Sequence, residues 1–268
     1  MSEIVIICSS SDPASLNIAS RLLELVEWEE HGDLRFHRSC CMLCIEGELV
    51  GLRNLEGMLD RMGLSPRLIV FASRHRSKES VAWLGGHFTG VVQEGSFELS
   101  RPAPYALKRL LIALQRHAPS TFRLSAEATH HGPVDLRTPS LFAEIGSCEQ
   151  HWIDPAAGTA VARSILELER YEEHAGDPVL LGIGGGHYVQ RQTELMLSRP
   201  VAFGHMFSKY QASMLSLDVM RRAAELSGAS GVYLDGKSFR SEERRRLEDI
   251  ASSLDLKVMS KKDVLSLL

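Results

Sequence analysis

Residues 179–187, VLLGIGGGH, read as a short apolar strand that turns on glycines and ends at a histidine. The same grammar recurs in LIVFASRH (68–75), FRLSAEATHHGP (122–133) and VAFGH (201–205). In open α/β sheets, ligands sit in the crevice beyond the carboxyl ends of the strands. If these four strands are parallel neighbours, His75, His130, His131, His187 and His205 converge on one rim.

The segments between them carry a helical period. Asp12 suits an N-cap and Pro13 the first helical position, and Leu16, Ala19, Leu22, Leu23 and Val26 then recur on one face. Pro104 opens a helix whose apolar face is Leu107, Leu110, Leu111 and Leu114. Residues 156–174, 188–197, 212–226 and 241–252 predict further helices. Strands alternating with helices predict an α/β fold, with a mostly parallel sheet between helical layers. No linker divides residues 1–268, so one domain is expected, with an elaborated excursion at 34–101. Within it, residues 85–101 read as irregular.

The chain has 268 residues and a formal net charge of −4, which argues against a broad electrostatic grip on nucleic acid, DNA above all, while leaving room for a local basic patch. No apolar run approaches the roughly 20 residues of a membrane helix. The acidic start and the odd number of cysteines, with three at Cys40, Cys41 and Cys44, point to a reducing cytoplasm. The three clustered cysteines read as buried structural thiols. Arg244, Arg245 and Arg246 alternate with acidic residues and read as a salt-bridged solvent face.

Three segments carry chemistry. Glu127, His130 and His131 offer a carboxylate and two imidazoles where a strand ends, suited to holding a metal and taking a proton from water. Gly184, Gly185 and Gly186 let backbone approach a ligand closely, and their amides suit an oxyanion. Ser73, Arg74, His75 and Arg76 combine groups that can hold phosphate with groups that can reach a reacting atom. Lys209 follows His205 closely and adds a cation.

SDPASLNIA (11–19), SRHRSK (73–78), EATHHGP (127–133), FAEIGSCEQHW (142–152), GIGGGHY (182–188) and GHMFSKY (204–210) together resemble the D-aminoacyl-tRNA deacylase family of archaea and plants. The resemblance implies a zinc-dependent hydrolase that cuts the ester between a D-amino acid and the 3′ end of tRNA. It also implies a fold similar to the phosphorylase/peptidyl-tRNA hydrolase group. The convergence of strand ends, not the resemblance, makes His130, His187 and His205 the expected Zn²⁺ ligands. Glu127 is the general base and His131 its support. Amides near Gly185 and Gly186 face the oxyanion, and Ser73, Arg74, His75, Arg76 and Lys209 contact the substrate. The expected partner is the 3′ end of aminoacyl-tRNA, met by a monomer. The alternatives are a zinc peptidase or amidohydrolase acting on small substrates and a non-catalytic RNA-binding protein.

Overall fold

The computed structural model describes residues 3–172 and 176–267. Its larger sheet has eight strands in the spatial order Glu29–His31, Leu34–His37, Cys40–Ile45, Ile4–Ser9, Leu68–Arg76, Ser140–Ser147, Trp83–His87 and Arg123–Ala126. The four central strands, Cys40–Ile45 to Ser140–Ser147, are parallel, and antiparallel pairings begin on either side. A second sheet, all parallel, orders Ala202–Phe207, Val179–Ile183, Gly231–Leu234 and Lys257–Met259. The α/β expectation holds, with two large sheets and a two-stranded one where a single sheet was expected.

The four histidine-bearing strands are therefore not neighbours. Only Val179–Ile183 and Ala202–Phe207 adjoin. The reason is a reversal at Trp83–His87, which pairs antiparallel with Ser140–Ser147. Arg123–Ala126 follows that reversed direction and closes the edge of the larger sheet. Residues 85–101 are not irregular either. They hold most of that strand and then a hairpin, Gly90–Gln93 with Ser96–Leu99.

Local signals placed the helices well. Asp12 Oδ1 accepts the amides of Ala14 and Ser15 and caps the helix Pro13–Leu25. Pro104–His117 and Pro155–Leu166 likewise open on proline. The last ends sooner than its periodicity suggested, in a 3₁₀ turn at Glu167–Arg170, and His174 lies outside the described residues. These helices cover one face of the larger sheet. A single hydrophobic cluster runs from Ile6, Val70 and Leu107 through to Phe203 and Tyr233 in the second sheet. Cys40 and Cys41 are buried in their strand, but Cys44 is exposed. Among the described residues no helix is long and apolar enough to cross a membrane.

The two sheets are stitched at residues 126–129. Ala128 N–H donates to His187 O at 2.9 Å, Thr129 N–H to Met206 O at 2.6 Å, and Val189 N–H to Ala126 O at 3.1 Å. His205 belongs to this seam and not to a metal centre. Thr129 Oγ1 already accepts the amide of Met206, so its hydroxyl donates to His205 Nδ1 at 3.1 Å, and His205 Nε2–H donates to Ser100 O at 3.0 Å. Both ring nitrogens are thus occupied. Complete burial holds the ring neutral, with its pKa lowered to about 4.

Two outcomes follow from this architecture. A Cβ on Gly86 would lie 2.2 Å from Phe142 O, so the neighbouring backbone must move. Gly86→Ala should cost about 1–3 kcal/mol, read as a melting temperature lower by about 2–4 °C per kcal/mol. For His205, the unfolded ring titrates near 6.5 and the folded ring near 4. The unfolded state therefore binds the extra proton first. Stability should be full above pH 6.5 and fall as pH drops towards 4. His205→Gln should flatten part of that decline in denaturant titrations at stepped pH; an identical slope would contradict this account.

Candidate active site

The site lies on the face of the larger sheet opposite the long helices. Alternation along Leu68–Arg76 puts Phe71, Ser73 and His75 on that face. Glu144 is level with Ser73 on one side and Gly85 on the other. His87 is level with Phe142, and their rings stack 5.0 Å apart at 10°. Phe142 in turn stacks on Phe71 at 4.6 Å. This aromatic floor sets the depth at which polar groups begin.

Glu127 comes from the seam and is wholly buried. His75 Nδ1 lies 2.9 Å from its Oε1; His187 Nε2 and His130 Nε2 lie 2.8 and 3.4 Å from its Oε2. Glu144 Oε1 accepts the Ser73 hydroxyl at 2.7 Å, and His87 Nε2 stands 3.7 Å from the same oxygen. Yet both Glu127 oxygens, Glu144 Oε2 and His87 Nε2 lack a well-directed hydrogen bond. The nitrogens are close but off line. Buried charges left in that state are costly unless a further group completes them.

The outer contacts indicate what completes them. His87 Nδ1 lies 3.0 Å from Phe88 O, His130 Nδ1 2.8 Å from Ala128 O, and His131 Nδ1 2.7 Å from Gly132 O. A carbonyl only accepts, so each Nδ1 carries the proton and each Nε2 is turned to the cluster as a potential ligand. The sets His75–Glu127–His187, His87–His130–His131 and His87–Glu127–Glu144 each bring one ligand atom per residue within 4.8 Å of the others. The donor set, imidazole nitrogens with carboxylate oxygens, fits a divalent metal.

Titration follows the same geometry. Burial pushes the Glu127 carboxyl up, but the His187 and His75 rings beside it outweigh this and hold it well below the usual carboxylate range. Burial also opposes charge on His75 and His87. For His75 the Glu127 carboxylate outweighs it, for His87 that of Glu144, and both pKa values are raised. Burial and then the charge of His87 lower the other two, His130 well below its ordinary value and His131 to about 4. A divalent cation held by this cluster would compete with protons for the same ligand atoms.

His187 is delivered by a glycine turn. Gly184 and Gly185 have φ of +112° and +87°, a region in which side-chain-bearing residues are strained. The Gly185 amide does not face the cavity as an oxyanion donor. It donates to Ser238 Oγ at 2.8 Å and fixes the turn. Gly186 is half-buried beside it. Lys209 is exposed, its Nζ 5.1 Å from the Tyr210 ring, and does not line the cavity. Ser73 is tied to Glu144, and His75 lies against Glu127 within the histidine–carboxylate cluster; both also line the cavity. Arg74 and Arg76 line the cavity, whose volume is about 370 Å³ and which opens onto His75, His130, His131 and His187.

Five imidazoles converge, as the sequence suggested, but His87 takes the place of His205. Glu144 is the other residue the reading missed. Its signal was present: a carboxylate amid the apolar run Leu141, Phe142, Ala143 and Ile145 needs a buried partner.

A family described as D-aminoacyl-tRNA deacylase matches residues 62–259. A relative of that name from Methanothrix thermoacetophila is 85% identical over 267 residues, covering 100% of both chains. Another from Archaeoglobus fulgidus is 32% identical over 271 residues, covering 97% of each. A crystal structure described as a conserved protein of unknown function superposes with a TM-score of 0.88 at 31% identity, covering 98% of this chain and 96% of that one. The fold, the histidine–carboxylate cluster and these similarities place this chain in the D-aminoacyl-tRNA deacylase family.

Proposed function

We propose that this chain hydrolyses the ester of D-aminoacyl-tRNA, releasing free D-amino acid and tRNA, with Zn²⁺ held by the histidine–carboxylate cluster. One observation carries the reading: three imidazoles commit Nδ1–H to backbone carbonyls, and two of them, His87 and His130, hold Nε2 3.7 and 3.4 Å from buried carboxylates that have oxygens without a well-directed hydrogen bond. The residues that would hold the ion are His87, His130 and His131, with His75 and His187 against Glu127. When bound, zinc lowers the pKa of water to about 7 and polarises a carbonyl.

The protein's own groups supply the rest. Glu127, ionised but buried, takes the proton of the attacking water through the His187 ring. The ester carbon gains the hydroxyl, and its bond to the ribose oxygen breaks. That oxygen leaves with a proton, and His187, partly exposed and 2.8 Å from Glu127, is placed to pass it on. His131, held neutral, orients its neighbours as a supporting member. Ser73 keeps Glu144 in place.

Dialysis against a strong chelator should abolish hydrolysis of D-tyrosyl-tRNA, and added zinc should restore it. Elemental analysis should find zinc in the active protein. Glu127→Gln should lower kcat by at least about 100-fold while tRNA binding persists. Undiminished activity after thorough chelation would remove the metal, and a fully active variant would remove Glu127 as the base.

A further inference from the structure

The cavity has a second polar wall that the hydrolytic chemistry does not use. Arg74 and Arg76 alternate with His75 along Leu68–Arg76, so they point away from the carboxylates that His75 meets. Among the described residues neither guanidinium lies within ion-pair distance of a carboxylate. Both instead stand over one indole: each guanidinium carbon is 5.5 Å from the centre of a Trp152 ring.

That indole is itself fixed. Trp152 Nε1–H donates to His75 O at 2.9 Å, so strand and ring are locked to each other. The Arg74 amide is held by Asp12 Oδ2 at 3.0 Å. With the indole as their neighbour rather than a carboxylate, the two guanidinium groups keep a fork of N–H donors for a ligand. Such a fork suits the paired oxygens of a phosphate. Arg76 is exposed and Arg74 half-buried, and both line the same cavity as His130 and His187.

We infer that Arg74, Trp152 and Arg76 form a subsite for an RNA phosphodiester, the one linking the last two nucleotides of the substrate strand. This rests on the proposed ester hydrolysis. It deepens that reading by making the internucleotide phosphate a recognised element. The terminal ribose bears the ester at the metal cluster, and the phosphodiester on its 5′ side is the anion nearest to it. A terminal nucleoside alone would leave this wall unfilled.

The test compares two unacylated probes, adenosine and the dinucleoside monophosphate CpA, by titration calorimetry on the full chain. CpA should bind about tenfold or more tightly than adenosine. Raising salt from about 50 to 200 mM should erode that preference. In Arg74→Gln/Arg76→Gln the ratio of the two dissociation constants should fall towards one. Arg76→Lys, which keeps the charge but loses the fork, should give an intermediate ratio. Melting curves check that the variants fold; if the double variant does not, Arg76→Gln alone, at an exposed position, should still reduce the ratio. Equal affinities in the unaltered protein, or a full preference in the arginine variants, would overturn the subsite. Hydrolysis of D-tyrosyl-tRNA is followed in parallel. Loss of hydrolysis with the CpA preference intact would sink the catalytic reading and leave the subsite, whereas hydrolysis without the preference would sink the subsite alone.

Discussion

An ionised carboxylate with no access to solvent governs this structure. Glu127 is fully buried, and Glu144 beside it nearly so. A negative charge this deep would be expelled or protonated in an apolar interior. Here it is surrounded by imidazoles, three of which are aimed by main-chain carbonyls, while the His75 ring is held by the Tyr188 hydroxyl. The arrangement is therefore preorganised. The orientation of each ring is set by the fold before anything binds, which is the condition for low reorganisation during a reaction.

The fold delivers this by bringing unlike pieces together. His75 and Glu144 come from parallel strands, His87 from a strand running the other way, Glu127 from the seam, and His187 from a turn of the second sheet. No single element holds more than a few of them. The pair of glycines at Gly85 and Gly86 makes this possible, because neighbouring carbonyls approach where side chains would stand. Close sheet packing and site geometry are thus one requirement.

Much of this was legible before any coordinates. The caps at Asp12 and Pro104, the alternation of elements and the histidines at strand ends all follow from local rules. What misled was non-local. His205 and His87 are both histidines in short apolar segments, and periodicity cannot separate them. Register does: His87 sits opposite Phe142 under the cluster, whereas His205 is consumed by Thr129 and Ser100 in the seam. The glycines of 85–90 read as loop because glycine weakens strands in isolation, while here its lack of a side chain is what the pairing demands. Arg74 and Arg76 read as groups that can hold phosphate, but nothing local announced that Trp152 would come to lie beside them.

The stretch after residue 210 carries no motif, and it would be easy to regard it as packing material. Ser238 argues otherwise. Its hydroxyl accepts the Gly185 amide and donates to Asp235, which also grips Arg191. Asp235 and Phe239 press against Gly184, leaving no room for a side chain. This small turn works like a wedge under a hinge: it sets the height at which His187 hangs over Glu127 without touching either. Drift in the tail therefore reaches the chemistry by subsidence, and the 235–239 turn is where freedom to vary ends.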